Sequence, residues 1–378
     1  MKSSKKILSM FRSESFRTRH GVALGALVLV GAVQAQAQTT YNVAGIADFT
    51  GPYADVMKDI AGCRKGVLDW WNQEVGASLG VALKIKEYDS RYDVAQIASL
   101  WPGVKSELNP VAVLGLGGPD TAAFFQWLQK KQGGKAPLKI GIISSEGLPS
   151  YVDILKCTEK CDLVYPCVVV VVESIYTEAQ PTDLMQQVNR LVRKGATVIQ
   201  VFNNTASVVA TRRALQSLGK TNIPIVMSAH NGLLSSGKAI GDLNQMEGSY
   251  EVYGMAIPTE EKTSARAFFD KLRSTYKADV SYTTPCMMGM SMGLITVRAM
   301  EQVVKVKGPK GVTGEELRAA ILSNPLKVEQ TFGVLPAVQY TKDAPFPTVN
   351  ISVNIGTVEK GVYKIVGQGI PAPAISKW

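Results

Sequence analysis

Residues 182–228 read TDLMQQVNRLVRKGATVIQVFNNTASVVATRRALQSLGKTNIPIVMS, and the spacing within them decides the fold class. Leu184, Val188, Leu191 and Val192 fall at i, i+4, i+7 and i+8, which is one face of a helix over 182–194. Pro181 with Thr182 or Asp183 opens that helix, Arg193 and Lys194 suit the negative end of its dipole, and Gly195 stops it. A short β-rich run, Thr197–Phe202, follows. Helical period returns over Ala206–Leu218, and Ile223–Ser228 is again strand-like. Helix, strand, helix, strand at this spacing is the signature of a parallel sheet with crossover helices.

The alternation extends outward from this stretch. Strands are predicted at Tyr41–Ala47, Val81–Tyr88, Val111–Leu116, Leu138–Ser144 and Val168–Ser174. Helices are predicted at Lys58–Glu74, Val94–Ser106, Thr121–Lys131 and Tyr151–Leu163. After Ser249 the order changes: a strand (Tyr250–Ala256), helices at Ser264–Thr275, Thr284 to about Val304 and Gly314–Leu322 behind a Thr313 cap, then β-rich segments to the end. Strict β-α order implies right-handed crossovers with helices on both faces, and ligands then bind beyond the carboxyl ends of the strands. The loops at those ends are Asp48–Asp55, Gly117–Thr121, Ser145–Tyr151, Asn203–Thr205 and Ala229–Gly232, all rich in small and polar residues.

The N-terminus carries an address. Lys2, Lys5, Lys6, Arg12, Arg17 and Arg19 stand against Glu14 alone, Gly21–Val33 is free of charge, and Ala35-Gln36-Ala37 offers a small-x-small cleavage pattern. Residues 1–37 therefore read as a secretory signal peptide, with export to the periplasm as the expectation. A helix of thirteen residues spans roughly 20 Å, short of the ~30 Å hydrocarbon core, and no cysteine precedes Cys63 to take a lipid. Removal of the signal leaves 35 basic and 30 acidic side chains, a net charge of +5 in place of +10. With no basic stripe interleaved with aromatics, nucleic acid is not an expected partner.

A remaining chain of this length exceeds what one core usually serves, so two domains are expected. Cys157, Cys161 and Cys167 lie close in sequence, but His230 is the only histidine beyond the signal and no Cys-x2-Cys spacing occurs. A local disulfide or inert buried thiols are better readings of the trio than a zinc site, and no cofactor is expected. Met287, Met288, Met290 and Met292 fit the apolar face of a packed helix. No nucleophile elbow, Walker loop, His-Glu-x-x-His or dinucleotide fingerprint is present, so an enzyme is not the expectation.

Four stretches carry a resemblance. They are Ala47-Asp48-Phe49-Thr50-Gly51-Pro52-Tyr53-Ala54 with Asp59-Ile60 and a helix ending Trp71-Asn72; Glu87-Tyr88-Asp89-Ser90 with Asp93 and Ala95; Thr182-Asp183 through Gly195-Ala196 with Gly219 and Ile223-Pro224; and Gly361-Val362-Tyr363. In that order they resemble the leucine/isoleucine/valine-binding proteins, the type I periplasmic solute-binding proteins of ABC importers. The resemblance implies two doubly wound α/β lobes joined by a three-strand hinge. Lobe I would be 38–121 and 256–331, and lobe II 122–255 and 332–378. It implies a monomer that holds a small polar solute (an amino acid, an amide or an aromatic carboxylate) and delivers it to the transmembrane subunits of an ABC permease. A ligand-sensing module for a receptor or kinase is the alternative. The implied ligand residues are Tyr53 and Asp55; Gly117, Gly118, Asp120 and Thr121; Tyr151; Asn203, Asn204 and Thr205; and His230 and Asn231. Trp101 and Trp127 could add to an aromatic wall.

Two departures stand out. Amino-acid-binding members place an acid where this chain has Ala229-His230-Asn231, leaving Asp48, Asp55 or Asp120 to meet a ligand ammonium. And only Thr121–Pro137 separates Gly118 from the next strand, so lobe I is expected to lack one βα unit, leaving its sheet edge uncovered.

Overall fold

Residues 182–228 fold as their spacing predicts, with helix α4 (Met185–Arg193), strand β6 (Val198–Phe202), helix α5 (Thr205–Ser217) and strand β7 (Ile225–Met227) in succession. The first helix starts three residues later than its cap signals suggest. Leu184 holds the N-cap position and Asp183 turns back to accept the Met185 N–H at 2.9 Å. The computed structural model describes residues 38–114, 122–134, 137–145, 169–227, 231–259, 261–342, 347 and 351–371.

Two sheets organise the described chain. The first has three parallel strands in the order β2-β1-β3, namely β1 (Thr39–Ala47), β2 (Val81–Asp89) and β3 (Ala112–Leu114). The second has seven. With β4 (Leu138–Ser145), β5 (Val169–Thr177), β8 (Tyr250–Tyr253), β9 (Ser352–Glu359) and β10 (Val362–Pro371), its order is β10-β9-β8-β7-β6-β4-β5. Strands β4 to β8 are parallel, while β9 and β10 form an antiparallel hairpin on the β8 edge. Its turn is Lys360-Gly361 with both φ angles positive, which suits Gly361 and matches the twist of the flanking strands.

Helix α1 (Ala54–Trp71) couples the first sheet to the long helix α8 (Thr284–Lys307). Gly289 and Gly293 let the two backbones approach, since a Cβ at Gly289 would lie 2.2 Å from the Ile60 carbonyl oxygen. Cys63 and Cys286 are disulfide-bonded across the same contact, with Cα atoms 5.3 Å apart. This pairing was not foreseen, and the trio Cys157, Cys161 and Cys167 lies outside the described residues. Asn72, just past α1, fixes β2 by donating to the Leu83 carbonyl and accepting from the Leu83 N–H, both at 2.8 Å. The methionine cluster packs as expected: Met287, Met288 and Met290 are buried and Met292 is partly buried beside them.

Helix α2 (Val94–Gly103) follows β2, capped by the Asp93 carboxylate on the Gln96 N–H. Only residues 115–121 then separate β3 from α3 (Ala122–Lys131), and α3 packs on β9 and β10 of the other sheet. Among the described residues the first sheet ends at β3, where Val113 is 43% exposed. Trp127 packs into a cluster with Phe124 and Tyr250, whereas Trp101 is exposed.

One helix was not predicted, α6 (Leu233–Ile240). Its sequence, LLSSGKAI, holds poor helix formers. Its internal Gly237 is set by tertiary contact, since a Cβ there would meet Leu243 at 2.7 Å. Helices α7 (Ser264–Ser274) and α9 (Gly314–Ser323) complete the body around the first sheet, capped by Thr263 and Thr313. Three cores result. One gathers the first sheet with α1, α7 and α8; one lies between the N-terminal half of α1, α3 and one face of the second sheet; the third lies under α4, α5 and α6 on its other face.

Candidate functional site

The order of strands marks where a site can form. In the first sheet the switch in strand order falls between β1 and β3, and in the second between β4 and β6. A crevice opens at such points beyond the carboxyl ends of the strands. The described loops there are 48–53 after β1 and 203–204 after β6, and they face each other.

Two carboxylates lock the first loop. Buried Asp48 accepts the Gly51 N–H at 2.6 Å and the Tyr53 N–H at 2.8 Å. Asp89, at the end of β2, accepts the N–H groups of Phe49 (2.9 Å) and Arg91 (3.2 Å) and the Thr50 hydroxyl (2.6 Å). The Thr50 hydroxyl leads in holding Asp89 below the usual carboxylate range, whereas burial outweighs the two amides and pushes Asp48 upward. Gly51 is required, because a Cβ would lie 2.4 Å from the Asp48 carboxylate and 2.6 Å from the Arg91 carbonyl oxygen. With both oxygens committed to the turn, Asp48 is a staple and not a counter-charge for a ligand.

This rigid loop meets the second sheet through direct hydrogen bonds. The Pro52 carbonyl accepts from Asn204 Nδ2 at 3.0 Å and from Gln180 Nε2 at 3.1 Å. The Tyr53 hydroxyl donates to Asn203 Oδ1 at 3.3 Å, and its ring packs against Tyr92 with centroids 4.4 Å apart. Asn203 in turn donates to Thr177 Oγ1 and the Glu178 carbonyl, and Asn231 Nδ2 donates to the carbonyls of Asn203 (2.7 Å) and Val201 (3.2 Å). Asn204 also caps α5, its Oδ1 accepting the Ser207 N–H at 3.3 Å.

Above this seam lies a groove of about 510 Å3. Gly51, Pro52, Ala54 and Asp55 form one wall; Gln180, Pro181 and Thr182 close an end; Asn204, Thr205, Ala206, Val209, Ala210 and Arg213 of the α5 segment, with Ala239 of α6, form the other wall. Asp55 is exposed at the rim. Desolvation raises its pKa, and the Thr205 hydroxyl and the N–H groups of Val56 and Asp55 itself pull it partway back. The groove thus offers a carboxylate, a guanidinium, amide donors and the open end of a helix above small apolar side chains.

Six residues nominated from the sequence are brought together here. Asp55, Asn204 and Thr205 line the groove, while Tyr53, Asn203 and Asn231 are buried beneath it and hydrogen-bonded to its framework. Gly117, Gly118, Asp120, Thr121, Tyr151 and His230 lie outside the described residues. Gln180, Thr182 and Arg213 were not nominated as site residues. Thr182 reads in the sequence as a helix cap and as part of the resemblance, and Arg213 carries no signal except its spacing of two helical turns from Thr205.

Solved structures with the same arrangement span nearly the whole of this chain. A branched-chain amino acid ABC transporter protein from Thermus thermophilus with bound valine superposes with a TM-score of 0.72 at 13% identity, over 90% of this chain and 97% of that one. This chain has the type I periplasmic binding-protein fold. A fatty acid ABC transporter substrate-binding protein from Thermomonospora curvata gives 0.69 at 18% identity, over 88% and 92%. A solute-binding protein of an ABC transporter from R. palustris in complex with 4-hydroxybenzoate gives 0.64 at 16% identity, over 90% and 98%. No protein-family model matches the sequence, and no curated protein matches it closely enough to count as a relative.

Proposed function

We propose that this chain is an exported solute-binding protein of an ABC importer. It would capture a small polar solute between two lobes, bounded as 38–121 with 256–331 and 122–255 with 332–378, and present it to the permease. One observation carries this most: the loop after β1 and the N-terminus of α5 face each other across a polar groove at the switch points of both sheets. The solved structures of this fold support it, being binding proteins of transporters with ligands as different as valine and 4-hydroxybenzoate. Segments suited to a hinge join the two bodies, where Ala256 N–H donates to the Val334 carbonyl at 2.7 Å and Asn354 to the Met255 carbonyl at 2.8 Å. Closure follows when the ligand binds the closed state better than the open one.

Charge narrows the solute. Neutral Asn231 is spent on two backbone carbonyls and Asp48 on its turn, so Asp55 is the described acid free to meet a ligand cation at the groove. Arg213 and the α5 N-terminus favour an anionic group. A thermal-shift screen of amino acids, amides and aromatic carboxylates on the chain from residue 38 tests this function. A ligand present at a hundred times its Kd stabilises by about 2.7 kcal/mol. A positive compound should lose that shift in Asp55→Asn or Arg213→Ala. A screen with no positive compound in any of the three classes would count against solute capture.

A further inference from the structure

Acids and bases are unevenly shared along this chain. Residues 121–145 and 184–241 carry eleven lysines and arginines and no aspartate or glutamate. The rest of the chain beyond residue 37 holds 24 basic side chains and all 30 acids. The two acid-free stretches supply α3, β4, α4, β6, α5, β7 and α6. Positive charge is thus concentrated in the elements that build the middle of the second sheet and its helices.

The fold gathers most of this charge at one end. Lys130 and Lys131 close α3, Lys139 is the second residue of β4, Arg193 ends α4 with Lys194 behind it, and Lys220 precedes β7. Strands β4, β6 and β7 are parallel, so all six side chains lie at their amino ends, opposite the groove. All six residues are exposed. The Thr197 N–H, at the foot of β6, donates to the Lys139 carbonyl at 2.7 Å, and Lys139 Nζ lies 3.6 Å from where a Cβ on Gly195 would stand. Among the described residues the ion pairs here use one acid, Glu173 of β5, with Arg190 at 2.9 Å and Lys194 at 3.3 Å. Cations at helix ends offset the macrodipole, but Lys139 sits on a strand, beyond that explanation.

We propose that this end of the molecule is a docking surface for an anionic phospholipid bilayer. None of the large apolar side chains exposed among the described residues belongs to α3, β4, α4 or α5, whereas a protein partner is held by aromatic and aliphatic anchors. Headgroup attraction needs charge alone, and each basic side chain near an acidic bilayer tightens binding by about fivefold. The six residues are spread over three neighbouring strands and over helices on both faces of the sheet, as contact with an extended charged plane requires. The cellular meaning rests on export as proposed above. Docked in this way, the protein stays beside the membrane that houses its permease, while the groove, at the far ends of the same strands, remains open to solution.

Cosedimentation of the chain from residue 38 with vesicles tests the surface. The chain should bind vesicles of equal parts phosphatidylglycerol and phosphatidylcholine, ignore phosphatidylcholine alone, and come off in about 1 M salt, where the Debye length falls to about 3 Å. The triple variant Lys130→Gln, Lys139→Gln, Arg193→Gln should bind about a hundredfold more weakly. Lys305→Gln, Lys310→Gln, Lys327→Gln removes the same charge from exposed sites around the first sheet and should stay within a few-fold of wild type. Circular dichroism checks that both variants fold, and the lipid and salt dependence of the wild type needs neither. No binding to acidic vesicles, or an equal loss in the two triple variants, would overturn the docking surface. Retention on immobilised polyglutamate without vesicle binding would assign the surface to an acidic protein segment and overturn the lipid reading as well. No solute enters the experiment, so vesicle binding with an empty ligand screen, or the reverse, separates this surface from solute capture.

Discussion

Glu251, buried on β8 with its carboxylate accepting the Leu233 N–H and the hydroxyls of Thr284 and Tyr363, gives the folded state a pH signature. Its carboxyl has an ordinary value of 4.5 in the unfolded chain and one of about 7 when folded. A raised acid leaves stability intact below pH 4.5, then subtracts from it as the pH climbs to 7, after which the cost is constant. The shift corresponds to about 3 kcal/mol. Glu251→Gln keeps an oxygen for the Leu233 N–H and adds no charge. Chemical denaturation at pH 5, 6, 7 and 8 should therefore show the variant gaining on the wild type with rising pH, by up to about 3 kcal/mol at pH 8. Asp48 and Asp55 are raised as well and bend the wild-type curve in the same direction, but they are common to both chains and cancel in the difference. A constant difference across that range would place the Glu251 titration elsewhere.

Among the elements, α1 and α8 form the spine that carries the groove loop, and their disulfide closes a loop with 223 residues of sequence separation. Both cysteines are fully buried. A cross-link over so long a loop constrains the unfolded chain, and its removal costs about 2–5 kcal/mol. Cys63→Ala with Cys286→Ala should lower the melting point of the chain from residue 38 by several degrees while leaving far-ultraviolet circular dichroism unchanged. An unaltered melting point would show that helix packing around Gly289 and Gly293 suffices alone. The pairing illustrates what a sequence conceals. Helices α4 and α5 and strand β6 were legible because apolar period and caps are local. Cys63 and Cys286 give no local sign of each other, and the adjacent Cys157, Cys161 and Cys167 draw the attention instead. Helix α6 was hidden for a related reason, since Leu243 and not intrinsic propensity selects Gly237. At the site, Asn203, Asn204 and Asn231 stood out as polar residues after strands, yet their main partners are backbone carbonyls such as that of Pro52, which no side-chain pattern reveals.

At the scale of the whole molecule, the start of α1 joins the two sheets through a shared core. Tyr53, Val56, Met57 and Ile60 share a core with Phe124, Phe125, Val353 and Ile355, and the Pro52 carbonyl takes up amide donors at the groove floor. On the proposed two-lobe reading, this contact would hold the closed state through the chain's own backbone, and a ligand with a carbonyl or carboxylate would compete with Pro52 for Asn204 and Gln180. Asn204→Asp isolates that contact. The aspartate still caps α5 through its Oδ atoms, but it has no N–H for Pro52 and sets a carboxylate against the carbonyl oxygen. Gln180→Ala removes the second donor. At about 0.5–1.5 kcal/mol per hydrogen bond, the double variant should shift the closed-to-open ratio by roughly tenfold to hundredfold. Scattering of both chains at one fixed pH gives the comparison. The double variant should show the larger radius there, and a solute found in the screen should restore the smaller one. An unchanged radius at that pH would mean that the shared apolar core, and not the Pro52 carbonyl, holds the lobes together.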